Sequence, residues 1–159
     1  MPDRSQDAPR LRALGDELVR IHAALRTDLT ALLADVEAVR AGAETSRPTP
    51  DVRTRLFERC LSLCATMHAH HANETERGFP LLERRFSDLA PVLDRLRAEH
   101  ETLAGLRRRF EETLERLGGA GADGDGVHAV HAELHRLAAE PEAHFDREEH
   151  QLVAALNAL

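Results

Sequence analysis

Apolar side chains recur every three or four residues through almost the whole chain, and that spacing leaves few folds open. Leu11, Leu14, Leu18, Leu25, Leu29, Leu32 and Val36 form one such stripe and predict a helix over about residues 11–41. Leu56, Cys60, Leu63, Met67, His70 and Glu74 form a second, over about 50–77. Thr49 suits its N-cap, Pro50 its first helical position and Asp51 its positive end. Leu89, Leu93, Leu96, His100, Leu103, Leu106 and Phe110 predict a third helix from near Asp88 to about Leu117, with Pro91 tolerated in the first turn. A fourth runs from a cap at Asp125 to Ala158, kinked at Pro141. Glycine and proline punctuate Gly42 to Pro50, and five glycines fall between Gly118 and Gly126. Gly78-Phe79-Pro80 marks an end or a bend, and Leu81 to Ser87 is a connector with room for a turn or two of helix. Four long helices with short connections predict an all-α, up-down-up-down antiparallel bundle over residues 10–159, after a flexible lead at 1–9.

Composition narrows the function classes. Aromatics make up 3% of the chain, with no Trp and no Tyr, which is unlike a β-sandwich or barrel. A formal net charge of −7 argues against a general nucleic-acid binder. Acidic residues follow Arg107-Arg108-Arg109 directly, so that run reads as a solvated helix face. No stretch approaches the ~18 apolar residues of a membrane span, and Met1 to Gln6 lacks the apolar core of a secretory signal. A cytoplasmic protein is the expectation. Cys60 and Cys64, one helical turn apart, read as reduced core thiols.

Histidine is the anomaly, with ten copies. Each expected helix carries one on its inward stripe: His22, His70, His100 and His144. Two of them begin the same pattern, His-x-x-x-Glu, at His70/Glu74 and His144/Glu148, 74 positions apart. Residues four apart share one helix face about 6 Å from each other, so each pair can aim a nitrogen and a carboxylate at one point. Burying two unpaired carboxylates costs several kcal/mol, about the size that paired cations relieve. Imidazole with carboxylate and no thiolate pattern suits iron, manganese or zinc. Two carboxylates able to bridge, with imidazoles split between the halves, indicate two ions rather than one tetrahedral zinc. Iron is the first expectation, as an oxo- or hydroxo-bridged pair, with manganese or mixed iron–manganese next.

Arg20-Ile21-His22-Ala23-Ala24-Leu25-Arg26, His70-His71-Ala72-Asn73-Glu74 ending in Phe79-Pro80, Glu99-His100, and His144-Phe145-Asp146-Arg147-Glu148-Glu149 together resemble the hemerythrin-like HHE cation-binding domain over about residues 11–158. The resemblance implies a hemerythrin-like four-helix bundle with His22, His70, His100 and His144 as terminal ligands and Glu74 and Glu148 bridging two irons. Two departures from the oxygen carriers of that family stand out. The carriers have two His one turn apart on the third helix, whereas here Leu96 and Ala104 flank His100. Their last carboxylate stands five residues after its His, which here is Glu149; Glu148 is preferred because the two halves then match.

The remaining histidines divide by position. His71 reads as a neighbour that supports the ligands or as a variable ligand. His68 and His150 read as surface. His128, His131 and His135 form a stripe that reads as boundary packing, with secondary metal loading or proton relay as the other reading. Met67 is expected above the site, excluding water.

Two functions follow. One is a non-haem diiron protein in which O2, peroxide or NO reacts, because one imidazole fewer leaves coordination open for redox chemistry or sensing. The other is a storage or sensor protein that binds oxygen or NO without turnover. A structural bundle holding zinc is a third, plainer possibility. The lack of Tyr and Trp removes any aromatic radical relay.

Overall fold

The computed structural model describes residues 14–43, 49–118 and 124–159. The lead at 1–9, the helix start at Leu11 and parts of both glycine-rich connections lie outside the described residues. All described elements are helical. They are α1 (Leu14–Ala43), α2 (Pro50–Asn73), a π-turn (Glu74–Gly78), α3 (Phe79–Arg85), a 3-10 turn (Ser87–Leu89), α4 (Ala90–Gly118), α5 (Gly124–Ala138) and α6 (Pro141–Asn157). No helix among the described residues is long and apolar enough to cross a membrane.

Four rods result: α1, α2 continued through the π-turn into α3, α4, and α5 followed by α6. Consecutive rods pack side by side, and the last returns against the first. Pairings between rods fix their directions. Residue 15 meets 157 and residue 26 meets 142, while 75 meets 100 and 83 meets 97. High numbers meet low at every seam, so neighbours run antiparallel, as the short connections require.

Local sequence explains where the rods start and bend. Thr49 Oγ1 accepts from Val52 N at 3.4 Å with Pro50 in the first turn, which is the expected cap. Pro80 has no N–H for the carbonyl four residues back, and the chain answers with a wider turn in which Phe79 N bonds Glu74 O. That single extra residue turns Phe79 inward, where it is buried. The rod then continues to Arg85, so Gly78-Phe79-Pro80 is a bend rather than an end. The fourth rod departs more from expectation. It starts at Gly124, placing Asp125 inside the first turn, and breaks at Ala139-Glu140 before Pro141 opens α6. Proline at the start of a new helix leaves no hydrogen bond unmade, which a kink in mid-helix would have done.

The interior has two apolar clusters with a polar belt between them. Leu25, Leu32, Val36, Cys60, Leu63, Cys64, Met67, Phe110, Leu134 and Phe145 fill one. Leu18, Phe79, Leu82, Leu93, Leu96 and Leu152 fill the other. At the second cluster α1 and α6 touch closely: Gly15 N donates to Asn157 Oδ1 at 3.0 Å. A Cβ on Gly15 would stand 2.6 Å from Val153 O. Between the clusters, along every rod, come the histidines and glutamates.

Candidate metal centre

His22, His71, Glu74, His100, His144 and Glu148 are buried, at 8% exposure or less, in the middle of the bundle. The His70 side chain is also mostly covered, at 6%. Two groups of four donors emerge, with the donor atoms of each group within 4.8 Å of one another. One holds His22, His70, Glu74 and Glu148; the other holds His71, Glu74, His100 and His144. All six residues expected from the sequence therefore meet in one belt, and Glu74 belongs to both groups. Glu148 is fully buried inside the belt, and Glu149 stays at its rim.

His71 is the addition. Its ring lies 4.4 Å from that of His100, stacked, and 5.2 Å from that of His144. Five imidazoles converge, not four. The fifth comes from the second rod, whereas the oxygen carriers take it from the third.

Imidazole nitrogens face one another in pairs. His22 Nε2 lies 3.0 Å from His70 Nε2, and His100 Nε2 lies 3.1 Å from His144 Nε2. Two nitrogens on one ion at bond lengths of about 2.0–2.1 Å stand roughly 2.9–3.4 Å apart. Carboxylate oxygens sit at similar range: Glu148 Oε2 is 3.1 Å from His22 Nε2, and Glu74 Oε2 is 3.3 Å from His100 Nε2. Those two oxygens and His71 Nε2 are nevertheless buried without a well-directed hydrogen bond. Lone pairs that crowd together yet point past each other are costly unless a cation takes them up. The donor set thus fits metal ions of the imidazole–carboxylate class.

The far side of several rings is held as well. Glu149 Oε1 accepts from His22 Nδ1 at 2.9 Å, and Glu99 Oε2 accepts from His144 Nδ1 at 2.9 Å. Thr75 Oγ1 accepts from His100 Nδ1 at 2.8 Å. Such contacts fix the tautomer and turn Nε2 inward. Arg26 donates to Glu149 at 2.7 Å, and Arg147 lies 2.8 Å from Glu99, so each outer carboxylate is held in turn. Phe145 stacks on His22 at 4.2 Å and Phe79 on His100 at 5.2 Å, which limits ring rotation. Met67 is buried in the same apolar cluster as Phe145.

Protonation in the belt follows from burial and pairing. Burial, then the neighbouring His22, pushes His70 down to about 4. Burial with His100 and His144 pushes His71 down to about 2. Both are neutral donors of a lone pair at ordinary pH. Burial also opposes charge on His100, but the adjoining carboxylates of Glu148 and Glu74 win and raise it to about 9. His144 is raised in the same way, burial being outweighed by Glu148. Glu74 is pushed up by burial to about 7, with Glu148 adding to the effect against His100. Glu148 itself is held well below the usual range, because the adjoining imidazoles of His100, His144 and His22 overcome its burial.

Other histidines fall as expected in part. His68 and His150 are exposed, and so are His128 and His135, while His131 is half-buried. Cys60 and Cys64 are buried free thiols. Sequence reasoning missed Thr75, Glu99 and Arg26 as supports of the belt. Only Arg26 leaves a local trace, one turn after His22.

Comparisons with curated proteins and with solved structures found no match. A family model does match: the hemerythrin HHE cation-binding domain, over residues 13–156. With nearly the whole chain matched and a buried His/Glu belt at its centre, this protein belongs to the hemerythrin family of HHE cation-binding domains.

Proposed function

We propose that the protein is a non-haem diiron protein reacting with O2, peroxide or NO at a carboxylate-bridged centre. The observation that carries this reading is the pair of donor groups joined through Glu74. His22, His70 and Glu148 would hold one ion, and His71, His100 and His144 the other, with Glu74 common to both groups. Glu148 approaches His22 on one side and His100 and His144 on the other. Manganese, or one iron with one manganese, satisfies the same donors. A bound iron pair supplies reversible one- and two-electron chemistry toward small oxidants.

The chain's own residues do three things in this reading. Glu149, Glu99 and Thr75 orient imidazoles so that no reorganisation is needed on binding. Phe145 and Phe79 lie against His22 and His100 and cover the belt with apolar surface, which excludes bulk water. The near-complete burial of the donors restricts ligands to diatomic or similarly small molecules. The group containing His22 and His70 carries two imidazoles against three in the other, so an added ligand has more room there.

One observation favours the second reading, reversible binding without turnover. His71 restores the fifth imidazole whose absence from the third rod argued against oxygen carriage. Stopped-flow spectra of the reduced, iron-loaded protein mixed with O2 separate the two. Rapid decay to an oxidised state, with turnover on adding peroxide and a reductant, supports reaction. A long-lived species that releases O2 under argon rejects it in favour of carriage.

A further inference from the structure

The belt is not covered evenly. On the first and last rods the His22 and Glu148 side chains have no exposed surface, and His144 has 2%. Arg26 pairs with Glu142, Asp146 and Glu149 across the seam between those rods, and Arg147 pairs with Glu99 across the seam between the third and fourth. Toward the second rod the cover thins. Glu74 has 11% of its side chain exposed and His70 has 6%, with His100 on the third rod also at 6%. Four residues after Glu74, Gly78 ends the π-turn. Its backbone is right-handed helical, with φ −65° and ψ −53°, and a Cβ there would meet no atom of another rod within 4 Å. Neither conformation nor packing calls for glycine at this position, where alanine is the better helix former. What the glycine leaves is space. We propose that the gap at Gly78 is the entrance by which an uncharged diatomic molecule such as O2 or NO reaches the His22–His70 half of the belt.

Side chains on a helix lean back toward its N-terminus and cover the residue one turn earlier. A side chain at position 78 would therefore lie over Glu74, and glycine leaves that approach bare. The facing rod agrees. His22 meets His70 between antiparallel rods, and counting eight residues outward along each brings Leu14 about level with Gly78. Leu14 continues the apolar stripe of α1 yet is 37% exposed, as a residue with no side chain opposite it would be. Leu81, one turn after Gly78 on the same side of its rod, is 37% exposed as well. The mouth is thus apolar, with a carboxylate at its inner end. A neutral gas loses little hydration on entering such a gap, whereas an anion would shed water and then meet Glu74. Inside lies the group with two imidazoles against three in the other, where an arriving molecule has more room. Entry by this seam leaves intact the ion pairs that steady His22 and His144 from the fourth and third rods.

The entrance rests on the reaction with small oxidants proposed above and narrows its substrate class, and two measurements separate the ideas. In the first, the full chain loaded with ferrous iron under argon is mixed with NO in a stopped-flow spectrometer, and iron is counted per chain. Gly78→Leu should hold as much iron as the wild type but bind NO at least about tenfold more slowly, with release slowed alike so that affinity is unchanged. Gly105→Leu, at a helical glycine of α4 that also faces free space, should match the wild type. The second measurement needs no iron: it reads methyl relaxation by dissolved O2 in the zinc-exchanged chain, which is diamagnetic. O2 should relax the methyl groups of Leu18, behind the mouth, more strongly than those of the buried Leu32, and that excess should disappear in Gly78→Leu. NO binding as fast in Gly78→Leu as in the wild type overturns the entrance and leaves the reaction standing, and slower binding with weakened affinity, the mark of a disturbed centre, does the same. A wild type that forms no NO adduct overturns the reaction instead. The O2 relaxation then decides the entrance, which fails if Leu18 is relaxed equally in wild type and Gly78→Leu.

Discussion

Glu148→Gln removes the negative charge at the centre of the belt while keeping the size and shape of the side chain. Glu148 is fully buried and accepts from His100 at 3.2 Å, with His22 and His144 at 3.1 and 3.3 Å. Together with Glu74 it lifts His100 from 6.5 to about 9 against the opposing effect of burial. One pKa unit is worth about 1.4 kcal/mol, so the protonated ring contributes about 3 kcal/mol to folding. Glu74 supplies part of this and Gln keeps one acceptor oxygen, so the variant should lose about 2 kcal/mol. The pH dependence has a definite sign. A base whose folded pKa is raised contributes fully below its unfolded value, and the contribution disappears as pH rises through the folded value. The penalty should therefore be largest at or below about pH 6 and small above about pH 9.5. Glu74, which Glu148 helps to raise, ionises at lower pH in the variant, and that gain further narrows the penalty at the higher pH. Urea unfolding of wild type and variant in the presence of a chelator, at both pH values, reads the effect directly. The same penalty at the two pH values, or a variant more stable at the lower one, would falsify the charge arrangement deduced for the belt.

Three further outcomes follow from other parts of the structure. Glu149→Gln and Glu99→Gln leave the Nδ1 atoms of His22 and His144 with a weaker acceptor; metal affinity should fall about 10- to 100-fold while urea stability of the metal-free protein changes little. A competition titration against a chromophoric chelator checks this, and unchanged affinity in both variants counts against those contacts. Gly15→Ala puts a Cβ 2.6 Å from Val153 O, forcing α1 and α6 apart, so unfolding should shift by about 1–3 kcal/mol; an unshifted urea midpoint contradicts the close approach. Burial pushes the Cys60 and Cys64 thiols up to about 12, so alkylation at about pH 8 should be slow until the protein is unfolded. Mass spectrometry after timed exposure to iodoacetamide shows whether either thiol reacts in the folded state.

Most of the architecture was legible in the periodic stripes, because a single apolar face determines which side of a helix turns inward. Leu18, Leu25, Leu32, Val36 and Phe110 lie where their spacing puts them, and His22, His70, His100 and His144 share that inward face. A stripe is one line, however, and a rod in a bundle faces two neighbours. His70 turns toward His22 on the first rod, and His71, about 100° further round, toward His100 on the third. Reading one inward position per turn hid the second. Glu99 and Glu149 escaped for a related reason. Each is a half-exposed residue beside a buried one, and its partner ring belongs to a different rod, 45 or 127 positions away. No local pattern carries such a pairing. Pro80 signalled a disturbance, but proline alone does not distinguish a helix end from an inserted residue. What made the π-turn the outcome is the burial gained when Phe79 stacks on His100.

The account rests on two cations being held by the buried donors of the belt. Anomalous diffraction at the iron edge, from crystals of anaerobically purified chain, addresses this most directly. Two peaks should appear, one among His22, His70, Glu74 and Glu148, the other among His71, Glu74, His100 and His144. A single peak, or an empty belt after soaking in ferrous iron, contradicts it.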